Sequence, residues 1–417
     1  MTFSSQIIDS LRRTRAISTF NIEKFLHYEP NNLFYQKKSD DREFIKSRLN
    51  HMKNGFLEML EITEFASLTL ASSVTQYFFG FVIIVDDKVF LYNCLDQSNE
   101  TLVEVEISQY AFLFTGMVIA VKGSNPNGNK IVAQEIFEKQ VVGINFIESE
   151  QTNSSIKKLK IAALSGPFND ETGEIFGSFD LSTVEADALI ILGPIIKKKF
   201  AFESDFLYDT IYQGFEAKLN SWLGKSPNRK VVIIPSTDDV HTLGMYPSGG
   251  FSYFEKSKAI VVMSNPVQFK IENVLFSVST NDLLIGINKN SLELNKDAKK
   301  SKTVTNSEKW PQNSPKIQQL ATNLIYQQSF LPAFDKSHTP IALSDPKIFN
   351  IDTVSDVFLT CSKLKPFIQK LSGPFSVVNI GSQPNVKNKN VLMIDIDLQQ
   401  MDYEKRFTIK FERLFKD

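Results

Sequence analysis

Three residues with the chemistry of metal ligands follow a buried strand in the middle of the chain. The stretch VVIIPSTDDVH, residues 231–241, passes from an apolar run into a polar turn that carries Asp238, Asp239 and His241. In an α/β sheet, catalytic ligands lie just past the carboxyl ends of the strands. Carboxylates and imidazoles bind divalent ions, and a pair of such ions can hydrolyse phosphoesters. The turn is therefore either part of a metal site or a set of solvated turn residues.

A two-metal site needs ligands from several strand ends at once, as in the calcineurin-type metallophosphoesterases, whose layout this part of the chain resembles. Three other predicted strand ends carry neither carboxylates nor imidazoles: Ser165-Gly166-Pro167 follows LKIAAL, Gly193-Pro194 follows DALIIL, and Cys361-Ser362-Lys363 follows SDVFLT. The lysines at 197–199 would also repel metal ions. We therefore predict a phosphoesterase-like scaffold that is not an enzyme and has no metal and no other cofactor. A residual metallophosphodiesterase that uses the 238–241 turn is an alternative.

Composition limits the classes of protein that the chain can be. Its 417 residues, 42% hydrophobic and 22% charged, are typical of a soluble globular protein with two or three domains. The longest apolar run, 77–85, is far shorter than the roughly 20 residues of a membrane span. Two cysteines, Cys94 and Cys361, exclude a disulfide framework and favour a reducing compartment. We expect a soluble intracellular protein that does not bind membranes.

The first part of the chain divides into two predicted regions. Residues 1–55 have a thin apolar stripe on a polar background, which predicts an N-terminal helical arm that is solvated or docks on a partner. Residues 56–145 contain several short β-rich runs without a long helix, and SNPNGN forms the turn of one hairpin. This pattern predicts an OB-type β-barrel.

The surface of the predicted barrel is acidic. Between residues 60 and 140 there are four Lys, no Arg and ten Asp or Glu, a balance of −6. OB barrels that bind single strands do so through a basic groove with stacking aromatics. An acidic surface repels phosphates, so we predict weak or no direct binding of nucleic acid. A single-strand DNA-binding protein of OB type is the alternative for this barrel.

Residues 146–417 follow a strand–helix–strand pattern. Buried strands alternate with a helix over 203–223, whose apolar residues lie on one face, and consecutive buried strands of this kind indicate parallel pairing. Residues 286–316 are rich in Lys, Asn and Ser, which predicts a mobile loop. An amphipathic helix is predicted to start after it, at Ile317.

Several stretches together resemble a known family. They are YAFLFTGMVIAVKGSNPNGNKIVAQEIF, IAALSGPF, DALIILGPI, VVIIPSTDDVHTLGMYPSGGFSY, VMSNPVQFKIENVLFSVSTNDLL and LATNLIYQQSFLPAF. The chain resembles the accessory B subunits of the eukaryotic replicative DNA polymerases, and the IPSTDDVH turn favours the alpha–primase branch over delta and epsilon. The fold implied is mixed: an OB-type barrel plus a calcineurin-like metallophosphoesterase domain, an α/β sandwich, that lacks its metal ligands.

The resemblance implies a scaffold rather than an enzyme. An accessory protein of this kind binds the C-terminal domain of the catalytic subunit of DNA polymerase alpha, and the primase subunits through it, in the nucleus during initiation of replication. An accessory role in polymerase delta or epsilon is the closest alternative. The residues expected to make part of the partner contact, unless their loop packs on its own domain, are Asp238, Asp239, Tyr246, Phe251, Tyr253 and Phe254.

Overall fold

The computed structural model describes residues 20–26, 39–95, 102–138, 145–146, 156–168, 181–197, 208–254, 257–295, 315–335, 339–371, 375–381 and 390–413. The strands of this part of the chain are β1 (Ile22–Leu26), β2 (Ser72–Val85), β3 (Lys88–Tyr92), β4 (Val103–Ile107), β5 (Ala111–Phe114), β6 (Val118–Asn125), β7 (Lys130–Phe137), β8 (Asn145–Phe146), β9 (Lys158–Ser165), β10 (Ala188–Leu192), β11 (Lys230–Ile234), β12 (Ile260–Val262), β13 (Val267–Ile271), β14 (Val274–Ser279), β15 (Ser291–Leu294), β16 (Thr353–Val354), β17 (Val357–Thr360), β18 (Phe367–Lys370), β19 (Ser376–Asn379), β20 (Asn390–Asp397) and β21 (Phe407–Arg413). The α-helices are α1 (Asp40–Met59), α2 (Tyr208–Leu223), α3 (Leu283–Lys289), α4 (Pro315–Tyr326) and α5 (Tyr403–Arg406). Within these residues no helix is long and apolar enough to cross a membrane.

The first large unit is a closed barrel of five strands in the order β2-β3-β4-β7-β6. Its strands are antiparallel neighbours except for β4 and β7, which pair in parallel and close the barrel. Side chains that alternate along the strands, such as Val89 and Leu91 on β3, are buried inside. The closed barrel confirms the prediction of a barrel from the short β-rich runs.

The second unit contains two six-stranded sheets, which together with the barrel confirm a mixed α/β fold. The first sheet has the order β1-β13-β14-β17-β19-β18, and the second has the order β12-β11-β10-β9-β20-β21. The two sheets share one apolar core, to which the first contributes Phe269 and Phe276 and the second contributes Ile161 and Ile190. The outer face of the second sheet is covered by α2. The outer face of the first sheet packs in a common core with α1, α4 and the barrel.

A buried arginine holds the barrel against the second unit. Arg48 of α1 donates hydrogen bonds to the carbonyl oxygens of Gln327 (2.6 Å) and Gln328 (3.3 Å), just past the end of α4. The last carbonyls of a helix lack partners within the helix, and this cation donates to the carbonyl of Gln327 there, while the carbonyl of Gln328 also accepts from the N–H of Ile351. The side chain of Gln327 in turn accepts from the N–H of Val118 and donates to its carbonyl, at 2.8 and 3.1 Å. These bonds connect α1, the end of α4 and barrel strand β6.

The structure corrects the prediction of an N-terminal arm over residues 1–55. Residues 22–26 form β1, which pairs antiparallel with β13 at the edge of the first sheet. Helix α1 extends to Met59, so the predicted boundary at 55 falls inside it, and its apolar residues are buried in the core shared with the barrel. Residues 1–19 and 27–38 of the predicted arm lie outside the described residues.

The structure also corrects the start of the predicted mobile loop over 286–316. Residues up to Lys289 belong to α3, and Ser291–Leu294 form β15, which pairs antiparallel with β5 beside the barrel. The cross-strand partner supplies the order that the polar composition did not predict. Residues 296–314 lie outside the described part. The helices predicted over 203–223 and from Ile317 correspond to α2 and α4.

Candidate functional site at the strand ends

The carboxyl ends of β9, β10 and β11 meet at one edge of the second sheet. The register pairs Leu192 with Ser165 on one side and with Ile234 on the other. The turns that follow are packed against each other through their backbones. The N–H of Gly166 donates to the carbonyl oxygen of Leu192, and the N–H of Gly193 donates to that of Ile234, each with an N–O distance of 2.8 Å. These turns are therefore joined to one another main chain to main chain.

Neighbouring turns lie so close together at Gly166 and Gly193 that a larger residue would not fit at either position. A Cβ atom on Gly166 would overlap the carbonyl oxygen of Pro194, and one on Gly193 would lie 2.6 Å from the backbone nitrogen of Ser236. The two glycines that the sequence places at these strand ends are thus required by packing of main chain on main chain.

The candidate ligand Asp239 is buried and both of its carboxylate oxygens are engaged. Oδ2 accepts a hydrogen bond of 2.6 Å from the N–H of Ile195, and Oδ1 accepts one of 2.7 Å from the hydroxyl of Tyr212 on α2. Burial raises the pKa of Asp239 to about 6, although the bonds from Ile195 and Tyr212 act in the opposite direction. The carboxylate thus joins the turn after β11 to the turn after β10 and to helix α2.

The other two candidate ligands are not buried with Asp239. Asp238 and His241 are exposed. The ring of His241 lies 4.4 Å from that of Tyr212 and stacks at 6.2 Å on Tyr253, centroid to centroid. Within the described residues, no three His, Cys, Asp or Glu side chains lie together as metal ligands. His27 and His338 are outside the described part. The residues at this turn therefore do not fit a two-metal centre.

A cavity of about 660 Å³ lies at this edge of the molecule. Turns from both sheets line it, including those after β9, β10 and β11 from the second sheet and those after β14 and β17 from the first. Residues 331–333 contribute to a further wall. The cavity carries three lysines and three aspartates: Lys197, Lys289, Lys363, Asp238, Asp282 and Asp335.

Three of the six residues predicted to contact a partner are buried in the protein's own core. Asp239, Tyr246 and Phe254 are at most 1% exposed, so the expectation of a direct partner contact is wrong for these side chains. Tyr246 is held inside because its hydroxyl donates to the carbonyl of Phe330 at 2.9 Å. Asp238 is exposed and Phe251 and Tyr253 are half-buried, so their part of the expectation stays a prediction.

Sequence reasoning missed two residues of this region. The hydroxyl of Tyr212 donates to Asp239. The spacing of three between Tyr212 and Phe215 indicates only that both lie on the buried face of a helix, and it does not predict the hydrogen bond. Leu243, in the same turn as Asp238, is 65% exposed. An exposed leucine cannot be distinguished from a core residue by type alone.

A family model for the DNA polymerase alpha/epsilon B subunit matches residues 161–369. The DNA polymerase alpha B subunit of Bos taurus is 22% identical over 358 residues, which cover 80% of this chain and 56% of that protein. The protein of the same name from Caenorhabditis elegans is 20% identical and covers 67% and 48%, and that from Schizosaccharomyces pombe is 22% identical and covers 64% and 48%. The chain spans about half the length of these curated relatives.

Proposed function

Because the chain belongs to the family of DNA polymerase alpha/epsilon B subunits, we propose that it is the non-catalytic accessory component of a DNA polymerase alpha–primase. In this role it binds the C-terminal domain of the catalytic subunit and, through that domain, tethers the primase subunits. It works in the nucleus during initiation of DNA replication. The two-sheet unit is, on this proposal, a phosphoesterase-type sandwich without the metal ligands of the active enzymes.

The observation that carries the non-catalytic role is the position of Asp239. This carboxylate stands where a hydrolase would place a metal ligand, yet its two oxygens are bound to Ile195 N–H and Tyr212 hydroxyl inside the fold. Removing it from those donors would leave a buried N–H and a buried hydroxyl without acceptors. A structural role for the residue fits a scaffold better than it fits a phosphodiesterase.

The choice of the alpha branch rests on the relatives, which are named as B subunits of DNA polymerase alpha in animals and in a yeast. The acidic balance of −6 between residues 60 and 140 suits a basic protein partner and disfavours nucleic acid as the ligand of the barrel. Exposed apolar side chains lie on the barrel and on the turn after β11, among them Val74 and Leu243. Apolar groups of this kind form the centres of protein interfaces.

Co-expression tests the proposal directly. The full chain is produced together with the C-terminal domain of the alpha catalytic subunit from the same organism, and the mixture is analysed by size-exclusion chromatography with light scattering. We expect a 1:1 complex that stays together at high dilution, because obligate pairings bury on the order of 2,000 Å² or more. The matched control is the corresponding domain of the epsilon or delta catalytic subunit. A complex with one of these and not with alpha would move the chain to that branch, and failure to bind any of them would refute the scaffold role.

A further inference from the structure

The cavity at the strand ends has charged walls that the scaffold role does not use. Three lysines reach it from separate elements: Lys197 from the turn after β10, Lys289 from the last residue of α3, and Lys363 from the turn after β17. The side chains of Lys197 and Lys363 make no ion pair or hydrogen bond with any residue in the described part of the chain. Each lysine ammonium is a point charge that can pair with an anionic group of a ligand.

Two of the three carboxylates in the cavity are engaged by the fold. Asp282 accepts from the N–H of Ile285 at 3.1 Å and from the N–H of Lys363 at 2.9 Å, so it caps α3 and holds the turn after β17. Asp335 accepts from the side-chain amide of Asn290 at 3.1 Å. Asp238 is the third, and it is exposed. The carboxylates are therefore not arranged as ligands of a cation.

The cavity also offers a neutral donor. The side-chain oxygen of Asn281 accepts from Thr237 at 3.4 Å and from Asn265 at 3.5 Å. Its amide nitrogen makes no hydrogen bond to a residue that the structure describes, and Asn281 lines the cavity. Lysines that act as point charges together with an amide donor are typical of protein sites for phosphate groups.

We propose that this cavity binds a phosphate-bearing small molecule, with Lys197, Lys289 and Lys363 as its cationic groups and Asn281 as a neutral donor. A volume of about 660 Å³ is sufficient for a ligand as large as a nucleotide, since ligand cavities usually measure about 300–1,000 Å³. The phosphate can come from a nucleotide or from an inorganic ion. The site binds without metal ions and catalyses no reaction. The free chain, without its partner, should bind the ligand.

The test is calorimetric titration of the full chain with sodium pyrophosphate and, separately, with ATP, both without divalent ions. We expect binding that each of two variants, Lys197→Gln and Lys363→Gln, weakens by about tenfold, because each removes one positive charge from the site. Lys258→Gln is the matched control: this exposed lysine precedes β12, at the amino ends of the parallel strands and opposite the cavity. It should leave the affinity unchanged.

The two ligands distinguish the two sources. Tighter binding of ATP than of pyrophosphate identifies a nucleotide, and equal binding identifies the phosphate groups alone; both support the site, provided that the lysine variants weaken it. Absence of binding at millimolar ligand overturns the proposal, and so does equal binding by the wild type and the two variants. Each variant is checked for an unchanged melting temperature without ligand, and Lys363, which is exposed, provides the test if Lys197→Gln does not fold. The complex with the catalytic subunit is assayed separately, so failure here does not bear on the scaffold role.

Discussion

The hydroxyl of Tyr212 donates a 2.7 Å hydrogen bond to Asp239, and this bond connects helix α2 to the turn after β11 across 27 residues of sequence. The second carboxylate oxygen of Asp239 accepts from Ile195 N–H, in the turn after β10. One acidic side chain therefore holds three segments together at the carboxyl ends of the strands, where α/β sheets commonly place ligand-binding residues. The carboxylate of Asp239 therefore stabilises the fold.

Asp239→Asn should change how stability depends on pH. Burial raises the pKa of Asp239 in the folded protein to about 6, above the ordinary value of 3.8. Between these values the folded state holds a proton that the unfolded state has lost, so this carboxyl favours folding below about pH 4 and the effect is lost as the pH rises through about 6. From pH 4 to pH 7 the free energy of unfolding of the wild type should therefore fall by about 2 kcal/mol more than that of the variant. Urea unfolding at a series of pH values measures this, and parallel curves would contradict it.

A pair of tyrosine variants checks the cause of that shift. The bond from Tyr212 lowers the pKa of Asp239, so Tyr212→Phe should move the pH dependence to higher pH. Tyr77→Phe is the control, because the hydroxyl of this half-buried barrel residue makes no hydrogen bond to a described residue. It should leave the pH dependence where it is in the wild type.

Many strands and helices of the fold could be predicted from the sequence because each depends on the pattern of apolar residues within its own segment. Alternating and continuous apolar runs predicted the barrel strands and the parallel strands, since burial on one face or on both produces these patterns. The position of β1 was not accessible in this way. It pairs with β13, about 250 residues away, and IEKFL is short and its apolar residues do not alternate, so it does not indicate a sheet strand by itself. A long-range pairing is decided by the partner strand and leaves little trace in the segment itself.

The candidate site was predicted in place but not in orientation. Among the strand ends compared, the sequence indicated ligand chemistry only after β11, and in the structure Asp238 of that turn is exposed while Asp239 is buried. Which of two adjacent aspartates turns inward is decided by donors 27 and 44 residues away, in Tyr212 and Ile195. Similarly, Tyr246 is buried because an acceptor at Phe330 is available to its hydroxyl. The burial of Asp239 and that of Tyr246 therefore both depend on partners outside the loop, and the loop sequence alone does not predict them.

Gly166→Ala should destabilise the protein severely. The added Cβ would overlap the carbonyl oxygen of Pro194, and both partners are main chain that cannot rotate away. We expect a loss of more than about 3 kcal/mol in the free energy of unfolding, or failure to fold. The control is Gly214→Ala on α2, where nothing lies within 4 Å of the new methyl group. That substitution should stabilise the protein by about 0.5–1 kcal/mol, since alanine loses less entropy in a helix than glycine. Chemical denaturation of the two variants should therefore give changes of opposite sign.

Arg48→Met should loosen the junction between the barrel and the two-sheet unit. The variant removes the donor to the carbonyls of Gln327 and Gln328. The Gln328 carbonyl still accepts from the N–H of Ile351, so the loss falls on the carbonyl of the fully buried Gln327. We expect a loss of about 2–4 kcal/mol, and faster hydrogen exchange at Val118, whose N–H is bound by Gln327. Lys53→Met, on the same helix but half-exposed, should change stability by no more than about 0.5 kcal/mol. Equal exchange at Val118 in all three proteins would mean that Arg48 does not hold this junction.

Leu243→Glu should weaken the complex with the C-terminal domain of the catalytic subunit. Leu243 is 65% exposed and lies in the turn that also presents Asp238, so it offers an apolar contact where the partner is proposed to bind. The variant loses the apolar contact of Leu243 with the partner and places a charge in the interface. We therefore expect the Kd of the complex to rise at least about tenfold in surface binding measurements. Met401→Glu is the matched control, because this residue is 54% exposed and follows β20 at the opposite edge of the second sheet, where Asp397 pairs with Lys158 at the start of β9. Because both side chains are exposed, neither variant should alter the melting temperature of the free chain. If Leu243→Glu binds as tightly as the wild type, or if Met401→Glu weakens binding equally, the partner docks elsewhere on the surface.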